Sequence, residues 1–188
     1  GIAVAASVGG TGNKVVFFDA VVPEKPVAEI ALTSAHGLVW DGQRKGLWAI
    51  GFKELLFLTL PMNAAPLAYQ IASRHPLPDD DGHDLRPVPG TAELILSTHS
   101  HVFRFNRDTH EFRKDPDLGD RVEAKGIDIH PASGRTLVVQ ASGGNWWATH
   151  IEQLHPAARI SPAKAKIYKA RWHAGGDFNA DQSSGFKG

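Results

Sequence analysis

The sequence contains no cysteine. A chain without thiols forms no disulfide, zinc–thiolate site or iron–sulfur cluster, and it has no cysteine nucleophile. It also lacks an excess of either charge, because 20 Lys and Arg balance 20 Asp and Glu, and a nucleic-acid-binding face needs a basic surplus. Its apolar runs stop short of the roughly 18 residues that a membrane helix requires. We therefore expect neither nucleic-acid binding nor membrane insertion.

Glycine, proline and aromatic residues are well represented. The chain has 19 Gly and 12 Pro among 188 residues, a load that helix-rich domains rarely carry. Five Trp and nine Phe favour strands, and these rings are also the ones that stack on sugars. With 42% hydrophobic and 21% charged residues, the composition is typical of a folded globular domain. It predicts an all-β protein.

A short motif recurs about every 45 residues. Its copies begin 47, 42 and 44 positions apart, and the first three are followed by a Gly-containing turn and further short apolar segments. Four strands in each such repeat are typical of a β-propeller blade. The four copies are His36-Gly37-Leu38-Val39-Trp40-Asp41, His83-Asp84-Leu85-Arg86-Pro87-Val88, Lys125-Gly126-Ile127-Asp128-Ile129-His130 and Lys169-Ala170-Arg171-Trp172-His173.

The repeat predicts about four antiparallel, four-stranded blades in residues 1–173, followed by a flexible polar tail over residues 174–188. Two arrangements are open: a closed four-bladed ring in which residues 168–172 pair with residues 2–6, or a partial six-bladed ring. A β-sandwich is the alternative fold. Besides the strands that begin at the motif copies, the predicted strands are residues 2–6, 14–18, 28–32, 46–50, 55–58, 69–71, 93–97, 102–105, 111–113, 136–140, 150–154, 158–160 and 168–172.

Several segments resemble a bacterial family of uncharacterised, mostly exported six-bladed β-propellers. They are Val4-Ala5-Ala6-Ser7, the stretch 12–19, His36-Gly37-Leu38-Val39-Trp40-Asp41, Gly82-His83-Asp84-Leu85, Asn145-Trp146-Trp147 and Tyr168-Lys169-Ala170-Arg171-Trp172. The resemblance implies a propeller fold, an extracytoplasmic location and about two further blades ahead of Gly1, but no particular activity. Gly1 is not a natural start, so we expect a processed or truncated N terminus.

The motif residues are the candidate catalytic residues. In a propeller the first strand of each blade lines the central channel, so His36, His83, Lys125 and Lys169 would surround one mouth of that channel. The two lysines suit a carboxylate or sulfate ligand. A desolvated Lys125 would be a base, which fits lyase-like β-elimination from an acidic carbohydrate.

A further hypothesis is that one divalent metal ion binds at this mouth of the channel. His36 and His83 would bind it through neutral imidazole nitrogens, with an Asp of the loop 79–81 or the family's additional His as third ligand. The alternative is that both imidazoles hydrogen-bond the backbone of a neighbouring blade. His99 and His101 alternate along the chain and would bind a ligand or metal from one side of an extended segment. The alternative is that His99 and His101 lie in a solvated turn and bind nothing.

The segment Asn145-Trp146-Trp147 is the second candidate ligand-binding feature. One indole would stack on a sugar ring while the other packs inside, or both would belong to the core. Three functions compete: an exported enzyme or binding module for an acidic carbohydrate, a non-enzymatic scaffold for protein–protein interaction, and a purely structural ring. We expect an incomplete ring to self-associate.

Overall fold

The structure is a computed structural model that describes residues 1–8, 12–61 and 69–173. Within these ranges the regular secondary structure is entirely β, and no helix there is long and apolar enough to cross a membrane. The strands, in chain order, are β1 (Ile2–Ala6), β2 (Lys14–Phe18), β3 (Pro26–Ala31), β4 (Gly37–Asp41), β5 (Gly46–Ile50), β6 (Glu54–Thr59), β7 (Gln70–Pro76), β8 (Asp84–Pro87), β9 (Glu93–Ser97), β10 (Val102–Asn106), β11 (Phe112–Lys114), β12 (Ala124–Ile129), β13 (Thr136–Gln140), β14 (Ile151–Leu154) and β15 (Ala158–Ile160).

These strands form four antiparallel sheets, and each sheet is built from consecutive strands. One sheet has three strands in the order β1-β2-β3, and the other three have four strands each: β4-β5-β6-β7, β8-β9-β10-β11 and β12-β13-β14-β15. Neighbours in a sheet are neighbours in sequence, so short connections suffice to join antiparallel strands. This confirms the predicted all-β class and the repeat, and it is consistent with a propeller-like fold.

The chain divides into two compact units, Gly1–Leu85 and Arg86–Gly188, with the boundary inside β8. Each unit buries its own apolar cluster. In the first unit the cluster consists of Val15, Phe17, Ile30, Leu32, Ala35, Leu47, Ala49, Leu56 and Leu58. In the second unit it consists of Val88, Ile95, Val102, Leu118, Ala124, Ile127 and Val138.

The strand β5 shows why this sequence packs as the centre of a sheet. All five of its residues are buried, because β5 pairs with β4 on one side and β6 on the other while both of its faces are covered. Gly46 is required there, since a Cβ atom would lie 2.3 Å from the Phe57 ring. That ring instead packs against Trp48, with the ring centroids 4.5 Å apart.

The first strands of two sheets each carry a buried aspartate that fixes the backbone around it. Asp41 ends β4, and Asp128 lies within β12. Asp41 accepts hydrogen bonds from the Trp48 indole (3.2 Å) and the Arg44 guanidinium (3.0 Å), which closes the turn between β4 and β5. Asp128 of β12 accepts from Arg86 at 2.8 Å. Buried carboxylates need such donors, because an unpaired one would lose its hydration without compensation.

The prediction of a strand over residues 168–172 is wrong. Ahead of it, Ile167 makes an isolated bridge to Ala148, but the segment itself joins no sheet. Its hydrogen bonds are irregular: the Trp172 amide donates to the Asp128 carboxylate at 2.7 Å, and the Trp172 indole donates to the Arg135 carbonyl at 3.0 Å. One carboxylate of β12 and one backbone carbonyl just ahead of β13 thus hold the segment in place of a strand ladder.

Smaller differences concern strand limits. The fourth strand predicted at 69–71 runs over Gln70–Pro76, and the one predicted at 28–32 runs over Pro26–Ala31. β7 is longer than predicted because it pairs with β6 along the whole of Glu54–Thr59. The tail predicted over residues 174–188 lies outside the described residues.

The core of the first unit yields a stability prediction. Leu56 is fully buried in the apolar cluster of that unit, so Leu56→Ala should lower the free energy of unfolding by about 2–5 kcal/mol through lost burial and the cavity left behind. Urea denaturation followed by tryptophan fluorescence measures this. The control Val21→Ala, at a position 87% exposed, should change stability by less than about 0.5 kcal/mol. Equal effects of the two substitutions would contradict the packing described.

Candidate functional site

Three of the four motif residues lie at the beginning of the first strand of a sheet. His36 directly precedes β4, His83 directly precedes β8, and Lys125 is the second residue of β12. Lys169 belongs to no strand. The two histidines belong to the first compact unit and the two lysines to the second.

The first cluster is the imidazole pair, His36 and His83. Their rings meet edge to face with centroids 5.1 Å apart. His36 is half-buried, and its Nδ1 donates to the Ser34 carbonyl at 2.8 Å. His83 is buried, and its Nε2 lies 3.1 Å from a carboxylate oxygen of Asp81. The repeat thus brings the two imidazoles together, and each ring already has a polar neighbour in its own loop.

The metal hypothesis concerns this imidazole pair. Among the residues that the structure describes, no group of three or more His, Asp or Glu side chains is arranged to hold a metal ion. The Asp81 carboxylate faces His83 Nε2, and one nitrogen of His36 is directed at a backbone carbonyl. A divalent ion generally needs more ligands than the two imidazoles offer, and the one-metal hypothesis stays a prediction.

The second cluster, which we call the Glu123 cluster, consists of His99, Glu123 and Lys125. The carboxylate of Glu123 accepts from both partners, with one oxygen 2.6 Å from Lys125 Nζ and the other 2.6 Å from His99 Nδ1. The Lys125 side chain is only 7% exposed, whereas that of His99 is 59% exposed. Glu123 therefore links a buried ammonium group to a solvent-facing imidazole.

An irregularity in β12 places Lys125. The pairing of β12 with β13 shifts between Ala124 and Gly126, so Lys125 is the extra residue of a β-bulge. A bulge redirects the side chain that it carries and is common beside functional sites. Glu123, just ahead of the strand, has φ = 55°, a left-handed conformation that costs energy in a non-glycine residue.

Neighbouring groups hold Glu123 in this conformation. Its amide donates to the His99 carbonyl at 2.8 Å, and its carbonyl accepts from the Ala141 amide at 3.0 Å. Nearby, Arg121 donates to Gln140 at 2.7 Å and forms an ion pair with Glu152 at 2.8 Å. The hydrogen bond from Arg121 holds the pKa of the Glu152 carboxyl below its ordinary value. The loop before β12 is thus clamped to β13 and β14.

Lys169 and an aromatic pair lie next to this cluster. A Cβ atom on Gly126 would come within 3.2 Å of Lys169 Cα, so the glycine that follows Lys125 lets the Lys169 backbone approach β12 closely. Tyr168 meets Trp146 edge to face, with ring centroids 5.7 Å apart. We call Trp146 and Tyr168 the aromatic pair. Lys169 links the two features, because its backbone approaches Gly126 and its Nζ lies 5.7 Å from the centre of the Tyr168 ring.

The tryptophan segment lies in the loop between β13 and β14. Trp146 is 67% exposed and Trp147 is half-buried, so the alternative that both indoles belong to the core is wrong. Lys166 Nζ lies 5.0 Å from the centre of the Trp147 ring, in cation–π range. Asn145 is exposed and donates to the Ser142 carbonyl at 3.2 Å, which shapes the loop.

His99 and His101 lie between β9 and β10. This segment is a turn in which the Thr98 and His101 backbones are hydrogen-bonded. The turn replaces the extended segment on which the expected alternation depends. His99 joins the Glu123 cluster, while His101 lies 5.8 Å from the Phe103 ring centre.

Sequence reasoning missed Glu123. It lies two positions before the motif residue Lys125 and carries the opposite charge. That spacing of opposite charges was the available signal. Its significance depends on the burial of Lys125, which the local sequence does not reveal.

Comparisons with known proteins bear on the fold only. No family model and no curated protein matches the chain. Among solved structures, 54 chains match. One of these is hydrazine synthase from Kuenenia stuttgartiensis, with a TM-score of 0.57 and 11% identity, covering 81% of this chain and 44% of that one. The chain therefore spans less than half of that protein chain, and the likeness shows shared architecture alone.

The Glu123 cluster yields a stability prediction. Glu123→Ala should cost about 1–3 kcal/mol, because it removes the carboxylate from a buried ammonium group. Adding Lys125→Met should recover part of this loss, since the buried charge is then gone. A double-mutant cycle from urea denaturation measures the coupling.

The matched control is the exposed ion pair of Lys14 and Glu29, whose atoms lie 2.8 Å apart. Glu29→Ala should change stability by about 1 kcal/mol or less, since solvent screens the pair. Additive effects of Glu123→Ala and Lys125→Met would mean that the two side chains do not interact.

Proposed function

We propose that the four sheets are blades of an exported β-propeller, and that this protein binds an acidic carbohydrate on the surface formed by the Glu123 cluster, Lys169 and the aromatic pair. The observation that carries the proposal is that the Lys169 backbone approaches Gly126, next to Lys125, while the neighbouring Tyr168 ring contacts the exposed Trp146 indole. The propeller assignment is supported by consecutive strands repeated in four antiparallel sheets.

Charge favours an anionic ligand. The surface contains two lysines and one glutamate, together with an imidazole that adds positive charge when protonated. Glu123 compensates the buried ammonium of Lys125, and the half-buried Lys169 places its Nζ 5.7 Å from the centre of the Tyr168 ring in the aromatic pair. An ammonium group in this position suits the carboxylate of a uronic acid or a sulfate ester.

Exposed aromatic surface favours a sugar ring. Trp146 is two-thirds exposed on a loop whose backbone is shaped by Gly143 and Gly144, both with positive φ. An indole held at the surface offers an apolar face to the C–H groups of a sugar. Asn145, which precedes Trp146, supplies a side-chain amide that can hydrogen-bond the hydroxyl groups of the sugar.

Binding is proposed here in preference to cleavage. The lyase-like reaction expected from Lys125 requires a base that reaches the proton beside the sugar carboxylate, but Lys125 is buried and donates to Glu123. Lys125 and the imidazole pair make contacts with neighbouring polar groups that hold the loops in place. Lys169, His99 and Trp146 are the accessible groups that would meet the ligand.

The test is titration with a uronic-acid oligosaccharide, monitored by tryptophan fluorescence. Lys169→Ala and Trp146→Ala should each weaken binding about tenfold, because the first removes a cation and the second a stacking face. Affinity should fall with added salt, since screening weakens the ion pair. A neutral oligosaccharide of the same length should bind more weakly than the acidic one.

Lys114→Ala provides the matched control. This lysine is exposed on β11, the outermost strand of another sheet, where it pairs with Asp120 at 2.9 Å. Its removal should leave the affinity unchanged. Equal loss in all three variants would indicate non-specific attraction, and the absence of saturable binding would refute the proposed function.

A further inference from the structure

The chain has an excess of positive charge in one segment near the end of β14 and beyond it. Residues 153–173 contain three Lys and two Arg but no Asp or Glu, whereas positive and negative residues are equal in number over the whole chain. The three lysines are Lys164, Lys166 and Lys169. A local excess of one sign attracts ligands of the opposite sign, and the attraction grows with the number of charges on the ligand.

Two hydrogen bonds fix this segment beside the loop that carries Trp146 and Trp147. The Ala148 amide donates to the Ile167 carbonyl, and the Ile167 amide donates to the Ala148 carbonyl, both at 2.8 Å. Ala148 is buried, so this bridge is anchored in the protein interior. The bridge therefore holds the chain on either side of Ile167 close to the indoles of the loop.

Two of the lysines contact aromatic rings at this place. Lys166 Nζ lies 5.0 Å from the centre of the Trp147 ring, and Lys169 Nζ lies 5.7 Å from the centre of the Tyr168 ring. Both distances are in cation–π range. Contact with a ring restrains a lysine side chain that is otherwise flexible, so less conformational entropy is lost when the ammonium group binds a ligand.

Lys166 is well placed to meet an anion. The residue is exposed, and in the part of the chain that the structure describes no carboxylate forms an ion pair with it. Its ammonium group has three N–H donors, which an anion satisfies better than the face of one ring. Lys164 is exposed too, in the turn over residues 162–165, but within the described ranges it contacts no aromatic ring.

We propose that the ligand is a polyanionic carbohydrate chain with an acidic group on at least two of its sugars, and that Lys166 and Lys169 bind two of these groups. The inference rests on the proposed carbohydrate binding and names the substrate class of the same surface. Because the two ammonium groups contact different rings, they meet different parts of the ligand. Lys166 is then the residue that favours a chain with several charges over one with a single charge.

Single-stranded nucleic acid is the other polyanion that cations and aromatic rings together can bind. The composition of the chain argues against it, since 20 Lys and Arg are balanced by 20 Asp and Glu, whereas nucleic-acid-binding domains are generally basic. An oligonucleotide therefore belongs in the experiment as a competing ligand.

Titration with three linear carbohydrate trimers, monitored by tryptophan fluorescence, tests the proposal. One trimer carries a uronic acid on every sugar, one carries a single uronic acid, and one is neutral. The unsubstituted protein should bind the fully acidic trimer most tightly. Lys166→Gln should weaken this binding about tenfold, but it should change the affinity for the singly charged trimer by less than about twofold, because that trimer needs only one of the two cations.

Lys164→Gln is the matched control, since it removes the same charge from the same segment without removing a ring contact. It should change the affinity for the fully acidic trimer by less than about twofold. Lys166→Arg keeps the positive charge and should retain most of the affinity. Thermal melting verifies that all three variants fold.

Four outcomes would overturn the proposal. Equal losses in Lys164→Gln and Lys166→Gln would mean diffuse attraction in place of a specific contact. Unchanged binding in Lys166→Gln would remove the second anion contact and leave the proposed carbohydrate binding intact, whereas no saturable binding of either acidic trimer would refute both. Tighter binding of a single-stranded oligonucleotide of equal charge would assign the surface to nucleic acid.

Discussion

Antiparallel pairing of consecutive strands is the constraint on which the location of the candidate site depends. When direction alternates along a sheet, the start of the first strand and the turn between the second and third strands lie at the same end. In the sheet β12-β13-β14-β15 these are the positions of Lys125 and of the loop that carries Trp146. The ladder thus brings a cationic group and an exposed indole to one end of the sheet.

The Glu123 cluster shows how this scaffold supports an unfavourable local structure. A left-handed glutamate, a bulged lysine and a buried ammonium group each cost free energy in isolation. They persist because the surrounding contacts compensate: His99 and Ala141 bind the Glu123 backbone, and Arg121 clamps the preceding loop to Glu152. Backbone strain of this kind is common at functional sites, and the cluster adjoins Lys169, which the proposal of ligand binding uses.

Much of the fold follows from local pattern. The strands Gly46–Ile50, Glu93–Ser97 and Thr136–Gln140 are predicted with correct limits, because apolar runs bounded by glycine-containing turns identify buried strands. The segment 168–172 has a similar pattern yet forms no strand. Its polar groups are held by Asp128 and the Arg135 carbonyl, long-range partners that no local pattern encodes.

By itself, the sequence determined the all-β class, the four-strand repeat and the equivalence of His36 and His83, since these depend on short-range periodicity and on the spacing of turns. Only the tertiary structure decided which polar residues meet. It turned His99 toward Glu123, buried Lys125 beneath that carboxylate, and left Trp146 exposed while β5 was covered on both faces. The physical reason is that burial and charge pairing are properties of residues far apart in the chain, whereas strand formation is governed by neighbours.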